Sequence, residues 1–307
     1  MNATFVSETA HRVAVYYQTQ YNNALPPNSP FGHYVTTLPL IGIITHLYLA
    51  AFHINFDDVS VHLNDFVPEA PFFDQMWADI RILQSQGIKI VGMLGGAASG
   101  TYVPCLTAEN FHKYYPVLAH YVRTFKLDGL DLDVEEFVLI EDIIRLIKQL
   151  KHDFGSKFII TLAPVASALQ EQGNLSGFDY LELDQRVGHL IDWYNGQFYS
   201  GFGQFFPDDQ YLEIIDFMKL DPSRLVATTI TNPDDAFGFI EIENIVQSAL
   251  HHFNFGGVAG WEYFNLPGGG DQPFLWAKTM TAAMKGIKNA REEFLAAPKI
   301  KSRIMRT

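Results

Sequence analysis

Leu127–Glu135 reads LDGLDLDVE, with Asp131, Asp133 and Glu135 alternating with Leu130, Leu132 and Val134. A β-strand sends alternate side chains to opposite faces, so the three carboxylates share one face and the three apolar residues the other. Inside a parallel barrel the apolar side packs under the helices, and the acids point inward with Glu135 nearest the C-terminal mouth. That mouth is where barrel enzymes keep their active sites. Three buried carboxylates cannot all stay ionised at neutral pH, so a shared proton and raised pKa values are expected, as a general acid requires. Two other readings of the run are weaker. A calcium loop would need a glycine at its sixth position and would not sit in a strand; a purely structural network of paired carboxylates is the other.

Seven further apolar runs share the character of this one. They are Val13–Gln18, Thr45–Asn55, Ile88–Gly96, Phe158–Pro164, Ile191–Tyr199, Leu225–Asn232 and Gly257–Asn265. All are rich in β-branched and aromatic residues and bounded by turn formers, as buried parallel strands are. Between them, Asp74–Gln86, Phe111–Phe125, Ile140–Phe154 and Glu241–Phe253 carry apolar residues at three- and four-residue spacing, which predicts helices. Eight strand–helix alternations over roughly 250 residues predict an α/β chain folded as a single (β/α)₈ TIM barrel. A doubly wound sheet would carry a glycine fingerprint after its first strand, and Tyr17–Gln20 has none. The expected boundaries are an N-terminal tail at 1–10, a catalytic barrel at 11–290 and a C-terminal tail at 291–307. The last is basic, with Lys299, Lys301, Arg303 and Arg306.

The formal net charge of -13 disfavours a nucleic-acid partner, because an acidic surface repels phosphate. No apolar stretch reaches the roughly 20 residues that span a bilayer, so no membrane partner is expected. The single cysteine, Cys105, permits no internal disulfide and reads as a buried small hydrophobe. With no basic start or apolar run in Met1–His11, a cytoplasmic location is expected. The sequons at Asn2 and Asn174 matter only if the chain is exported. His251 and His252 lie in a predicted helix without metal-ligand spacing, so neither a metal nor a cofactor is expected, and the chain is read as a monomer. In the sixth strand Asn195, Gln197 and Tyr199 recur at two-residue spacing, so one face presents three polar groups to the barrel interior.

The run DGLDLDVE matches the DxxDxDxE signature of glycoside hydrolase family 18, and the chain resembles that family in its other landmarks too. Gly95-Gly96 ends the third strand, Gln197–Tyr199 (QFY) lies in the sixth, and Trp261 in the eighth. More closely, over nearly the whole barrel the chain resembles fungal endo-β-N-acetylglucosaminidases of the Endo T type. The segments Phe52–Asn55, Val61–Phe66, Met93–Gly100, Ile160–Leu169, Asp192–Gly203 and Gly260–Asn265 carry that similarity.

The resemblance implies a retaining reaction in which the substrate's own 2-acetamido oxygen attacks the anomeric carbon. Glu135 would be the proton donor, Asp133 would hold the acetamide N–H, and Asp131 would tune Asp133 from behind. Tyr199 would donate its hydroxyl to the acetamide carbonyl, and Trp261 would form the floor beneath the sugar. Gln197, Asn195, Gly95 and Gly96 would line the substrate site, joined by Tyr263 and Glu262 in the mouth. The implied partner is an N-glycan cut between the two GlcNAc residues of its chitobiose core, and family resemblance keeps an extracellular location open. A chitinase acting on chitin oligomers is the alternative, and a non-catalytic glycan-binding barrel is the third. Ser200 stands where many chitinases have Asp or Asn, and little chain separates strands seven and eight for an inserted domain. Both features point away from a deep polymer cleft, and the intact Glu135 counts against a mere lectin.

Overall fold

The computed structural model describes residues 11–252, 254–264 and 272–296. Among these residues nine strands form one sheet: β1 (Arg12–Tyr17), β2 (His46–Asn55), β3 (Ser60–Leu63), β4 (Lys89–Gly95), β5 (Gly129–Asp133), β6 (Ile159–Leu162), β7 (Trp193–Gln197), β8 (Leu225–Ile230) and β9 (Gly257–Trp261). Eight of them are parallel, and β1 pairs with both β2 and β9, which closes the sheet into a barrel. The ninth, β3, is an antiparallel hairpin partner of β2, with Phe52 opposite Leu63 and Asn55 opposite Ser60. The sequence reading did not separate it from the loop, because four residues give too short a pattern.

Among the described residues seven α-helices surround the barrel: α1 (Asp74–Ser85), α2 (Phe111–Thr124), α3 (Ile140–Phe154), α4 (Tyr180–Val187), α5 (Asp209–Met218), α6 (Ile242–Leu250) and α7 (Leu275–Ala296). In α3, Ile143, Ile144, Leu146, Ile147 and Leu150 are buried at helical spacing, and Gly155 at φ 84° ends it. The unread helices are α4, α5 and α7. The first of these is short and starts on an Asp179 cap that accepts from the Leu181 and Glu182 N–H groups. Helix α7 runs to Ala296, so the barrel boundary expected at 290 falls inside a helix. The tail at 1–10, the basic residues beyond 296, Phe253 and Asn265 lie outside the described residues.

Two apolar layers follow from the strand alternation. Leu130, Leu132 and Val134 belong to the large cluster between strands and helices. Inside the barrel a smaller cluster combines Ala14, Tyr16, Tyr48, Val91, Met93 and Trp193. The connection from β8 to β9 holds one loop and α6, so no inserted domain walls in the C-terminal mouth. No helix among the described residues is long and apolar enough to cross a membrane.

Candidate active site

Strand register assembles the site from below. Asp131 on β5 lies opposite Thr161 on β6 and Met93 on β4. The Thr161 hydroxyl therefore reaches Asp131 Oδ1 at 2.6 Å, and the Asn195 amide from β7 donates to the same oxygen at 3.0 Å. Tyr16 on β1 donates to Oδ2 at 2.8 Å, across the barrel. Burial raises the Asp131 pKa, while these three donors act to lower it. Asn195 Oδ1 in turn accepts from Tyr48 Oη at 3.1 Å and from Trp193 Nε1 at 3.0 Å. Asn195 is thus consumed by a buried network under the site. The expectation that it lines the substrate cavity is corrected: it is fully buried in that network and is not among the residues that line the cavity.

One layer higher, Asp133 is buried and meets a single amide donor. Gln197 Nε2 lies 2.7 Å from Ala163 O, 3.2 Å from Asp133 Oδ1 and 3.5 Å from Glu135 Oε1. An amide has two protons, so the two carboxylates share what remains after the Ala163 bond. Burial pushes the Asp133 carboxyl well above the ordinary range, with Glu135 and then Asp131 adding to the push. Glu135 stands two residues beyond the end of β5, half-buried, and its pKa is also raised by burial. The following Glu136 turns away and accepts from the Gly100, Tyr102 and Val103 N–H groups, which fixes the loop after β4.

Gly95 and Gly96 sit at φ 94° and 101°, and a Cβ at Gly95 would meet Asp133 O at 2.4 Å. Gly96 N–H donates to that same carbonyl at 2.9 Å. Only glycine lets this backbone lie so close to the acidic strand.

Asp133, Glu135, Gln197, Tyr199, Trp261, Gly95 and Gly96 surround one open cavity of about 470 Å³. Tyr199 is held far above its usual pKa by burial and then by Asp133 and Glu135, so its hydroxyl is a donor at any working pH. Trp261 packs on Tyr16, with ring centroids 5.6 Å apart. Tyr16, Met93 and Asp235 also line the cavity, and the sequence reading missed all three. For Tyr16 a signal existed in the inward position of a barrel strand, two residues beyond Ala14; for Asp235, on a loop, none did.

Two residues expected in the mouth are elsewhere. Tyr263 is buried behind the strands, its ring against Tyr17 and its hydroxyl donating to Thr36 O at 2.9 Å. Glu262 is buried too, and its carboxylate turns towards the exit of β1, where it accepts from the Thr19 N–H at 2.6 Å. Both residues lie beyond Trp261, the last residue of β9, so the strand's alternation no longer sets their sides. Among the described residues no cluster of three or more His, Cys, Asp or Glu is arranged to hold a metal ion. His252 instead bonds Asp208 at 2.6 Å and is half-buried.

A sequence profile for the glycosyl hydrolases of family 18 matches residues 12–223, from the first residue of β1 to beyond α5. The chain belongs to glycosyl hydrolase family 18. Within the family it is 41% identical to a fungal endo-β-N-acetylglucosaminidase of known structure, with a TM-score of 0.82, covering 90% of this chain and 98% of the other. It is 45% identical to chitinase ChiC from Aspergillus fumigatus, with a TM-score of 0.78 and coverage of 89% and 99%. A shorter match of 121 residues, 30% identical, links this family 18 chain to chitinase Chi52 of Paenibacillus xylanexedens. That match spans 34% of this chain but only 23% of the relative.

Proposed function

We propose that this family 18 chain hydrolyses the GlcNAc-β-1,4-GlcNAc bond in the chitobiose core of N-glycans, with retention and with help from the substrate's acetamide. The observation that carries the reading is the pairing of Asp133 and Glu135 at one cavity wall, with Gln197 Nε2 between them. Both carboxylates come from one strand end, so neither is placed as a nucleophile flanking the bond from the opposite side to the acid. The acetamide oxygen supplies that attack. It bonds to the anomeric carbon as the bond to the leaving sugar breaks, and Glu135 gives its proton to the departing oxygen. In the second half Glu135 takes a proton from the water that opens the oxazolinium ring.

The surroundings divide the work. Burial raises the Glu135 pKa, which favours the protonated form that a general acid needs. Asp133 accepts the acetamide N–H and offsets the positive charge that develops, while Asp131 stays behind it with three donors of its own. Tyr199 points its hydroxyl at the acetamide carbonyl, and Trp261 supports the sugar ring. The open mouth, without an inserted domain between β8 and β9, suits a branched glycan that stays attached to protein. The substrate then needs no cofactor, and one chain suffices.

Cleavage of chitin oligomers is the second reading, favoured by the 45% identity to a chitinase. A glycoprotein bearing N-glycans and a set of chitin oligomers, incubated separately with the protein, decide between them by mass spectrometry. Loss of the glycan with one GlcNAc left on the polypeptide supports the first reading. Cleaved oligomers with an intact glycoprotein support the second, and neither product returns the chain to a binding role.

A further inference from the structure

A second, larger groove of about 770 Å³ opens beside the reaction cavity and shares Gln18, His53 and Ala98 with it. The Gln18–Thr19 turn at the exit of β1 borders both, Gln18 lining each and Thr19 the groove. Both sides of its backbone are held. Asn64 Nδ2 from the loop after β3 donates to Gln18 O at 3.0 Å. On the opposite side Glu262 Oε1 accepts the N–H groups of Gln18 at 3.2 Å and Thr19 at 2.6 Å, and Glu262 Oε2 accepts the Thr19 hydroxyl at 3.1 Å. Glu262 is itself anchored: Thr231 donates through its hydroxyl to Glu262 O and through its N–H to Trp261 O, both at 2.7 Å. A buried carboxylate that collects three donors from one turn does more than fill space. Burying it is costly, and the three charge-assisted bonds that offset the cost also fix the turn.

We propose that Glu262 is a positioning residue for sugar binding, holding the Gln18–Thr19 turn so that Gln18 faces a GlcNAc unit where the reaction cavity meets the neighbouring groove. The inference deepens the function proposed above and rests on its GlcNAc-containing substrate. Charge is what gives the clamp its strength, since bonds to a carboxylate are roughly twice as strong as bonds to a neutral acid. Burial raises the Glu262 pKa to about 7, the bonds to Thr19 and Gln18 oppose the rise, and Asp235 on the loop after β8 adds to it. The clamp is therefore charged above neutral pH and neutral below it. Binding through Gln18 strengthens as pH rises through that range.

The test uses the Glu135→Gln protein, which binds without cutting, and chitotetraose as the probe. Calorimetry at about pH 5.5 and about pH 8 brackets the Glu262 transition. Glu135→Gln alone should bind about fivefold more tightly at the higher pH than the double variant with Glu262→Gln, and equally at the lower pH. Glu262→Gln is nearly isosteric and copies the neutral acid, so it folds. Thr19→Val removes one of the three donors and should weaken binding at both pH values while keeping the pH step. A double variant that keeps the full step, or that binds as tightly at high pH, overturns the proposal. Wild-type turnover of glycoprotein is a separate measurement, so a failed substrate assignment and a failed clamp give different results.

Discussion

The Tyr16 hydroxyl donates to Asp131 Oδ2 at 2.8 Å, a bond between strands β1 and β5 across the barrel interior. With Thr161 and Asn195 on the other oxygen, Asp131 has three donors, whereas Asp133 has one that it shares. Hydrogen bonds to a carboxylate favour its charge, so before substrate arrives the negative charge settles on Asp131 and the proton on Asp133; an acetamide N–H donated to Asp133 draws the charge towards it. The three acids are alike in sequence and unequal in the fold.

Thr161→Val keeps the shape of the residue and removes the shortest of those donors. Asp131 then holds its charge less well, and its pKa rises further. The acid limb of the kcat/KM profile should move to higher pH, measured from the pH dependence of hydrolysis. An unmoved limb would show that Asp131 does not set the protonation of the group.

Replacing Glu135 by Gln removes the proton donor while leaving the shape intact. Hydrolysis should fall by about 10³-fold or more, with circular dichroism unchanged. Near-normal turnover would end the assignment.

Asp133→Asn should lower hydrolysis and stabilise the fold at neutral pH. Folding raises the Asp133 pKa, so between its ordinary value and the raised one the folded state binds more protons than the unfolded state. Stability therefore falls as pH rises through that window, and Asn escapes the loss. The melting temperature of the variant should exceed that of the parent at pH 7, by about 2 °C or more, and converge with it in acid. Because the acetamide no longer needs help once cyclised, transfer from a glycan oxazoline donor should persist.

Tyr199→Phe deletes a hydroxyl that lines the cavity beside both acids. If it fixes the acetamide for attack, kcat should drop about 10²-fold with a smaller change in KM. Steady-state kinetics on a short chitobiosyl substrate separates the two.

Tyr263→Phe provides the contrast. Its hydroxyl bonds Thr36 O away from the cavity, so the loss should be about 1 kcal/mol of stability, seen in urea unfolding, with kcat retained. A large loss of activity would place Tyr263 back at the substrate.

The eight barrel strands and four of the seven helices follow from local pattern, because alternation and helical spacing are local properties. Helices α4 and α5 are short, and the hairpin strand β3 shorter still, so a pattern barely repeats before it ends. In the site, Asp133, Glu135, Gln197, Tyr199 and Trp261 were legible and do surround one cavity. Tyr263 and Glu262 were placed there by nearness to Trp261 in sequence, and the strand exit sends them elsewhere.

By itself the sequence determined that three carboxylates share one inward face, since a strand's two-residue period allows nothing else. It also determined that they crowd, and so that their pKa values rise. Only the tertiary structure decided which acid keeps its charge. That depends on Thr161, Asn195 and Tyr16, which lie 30, 64 and 115 residues from Asp131 and reach it only when the barrel closes.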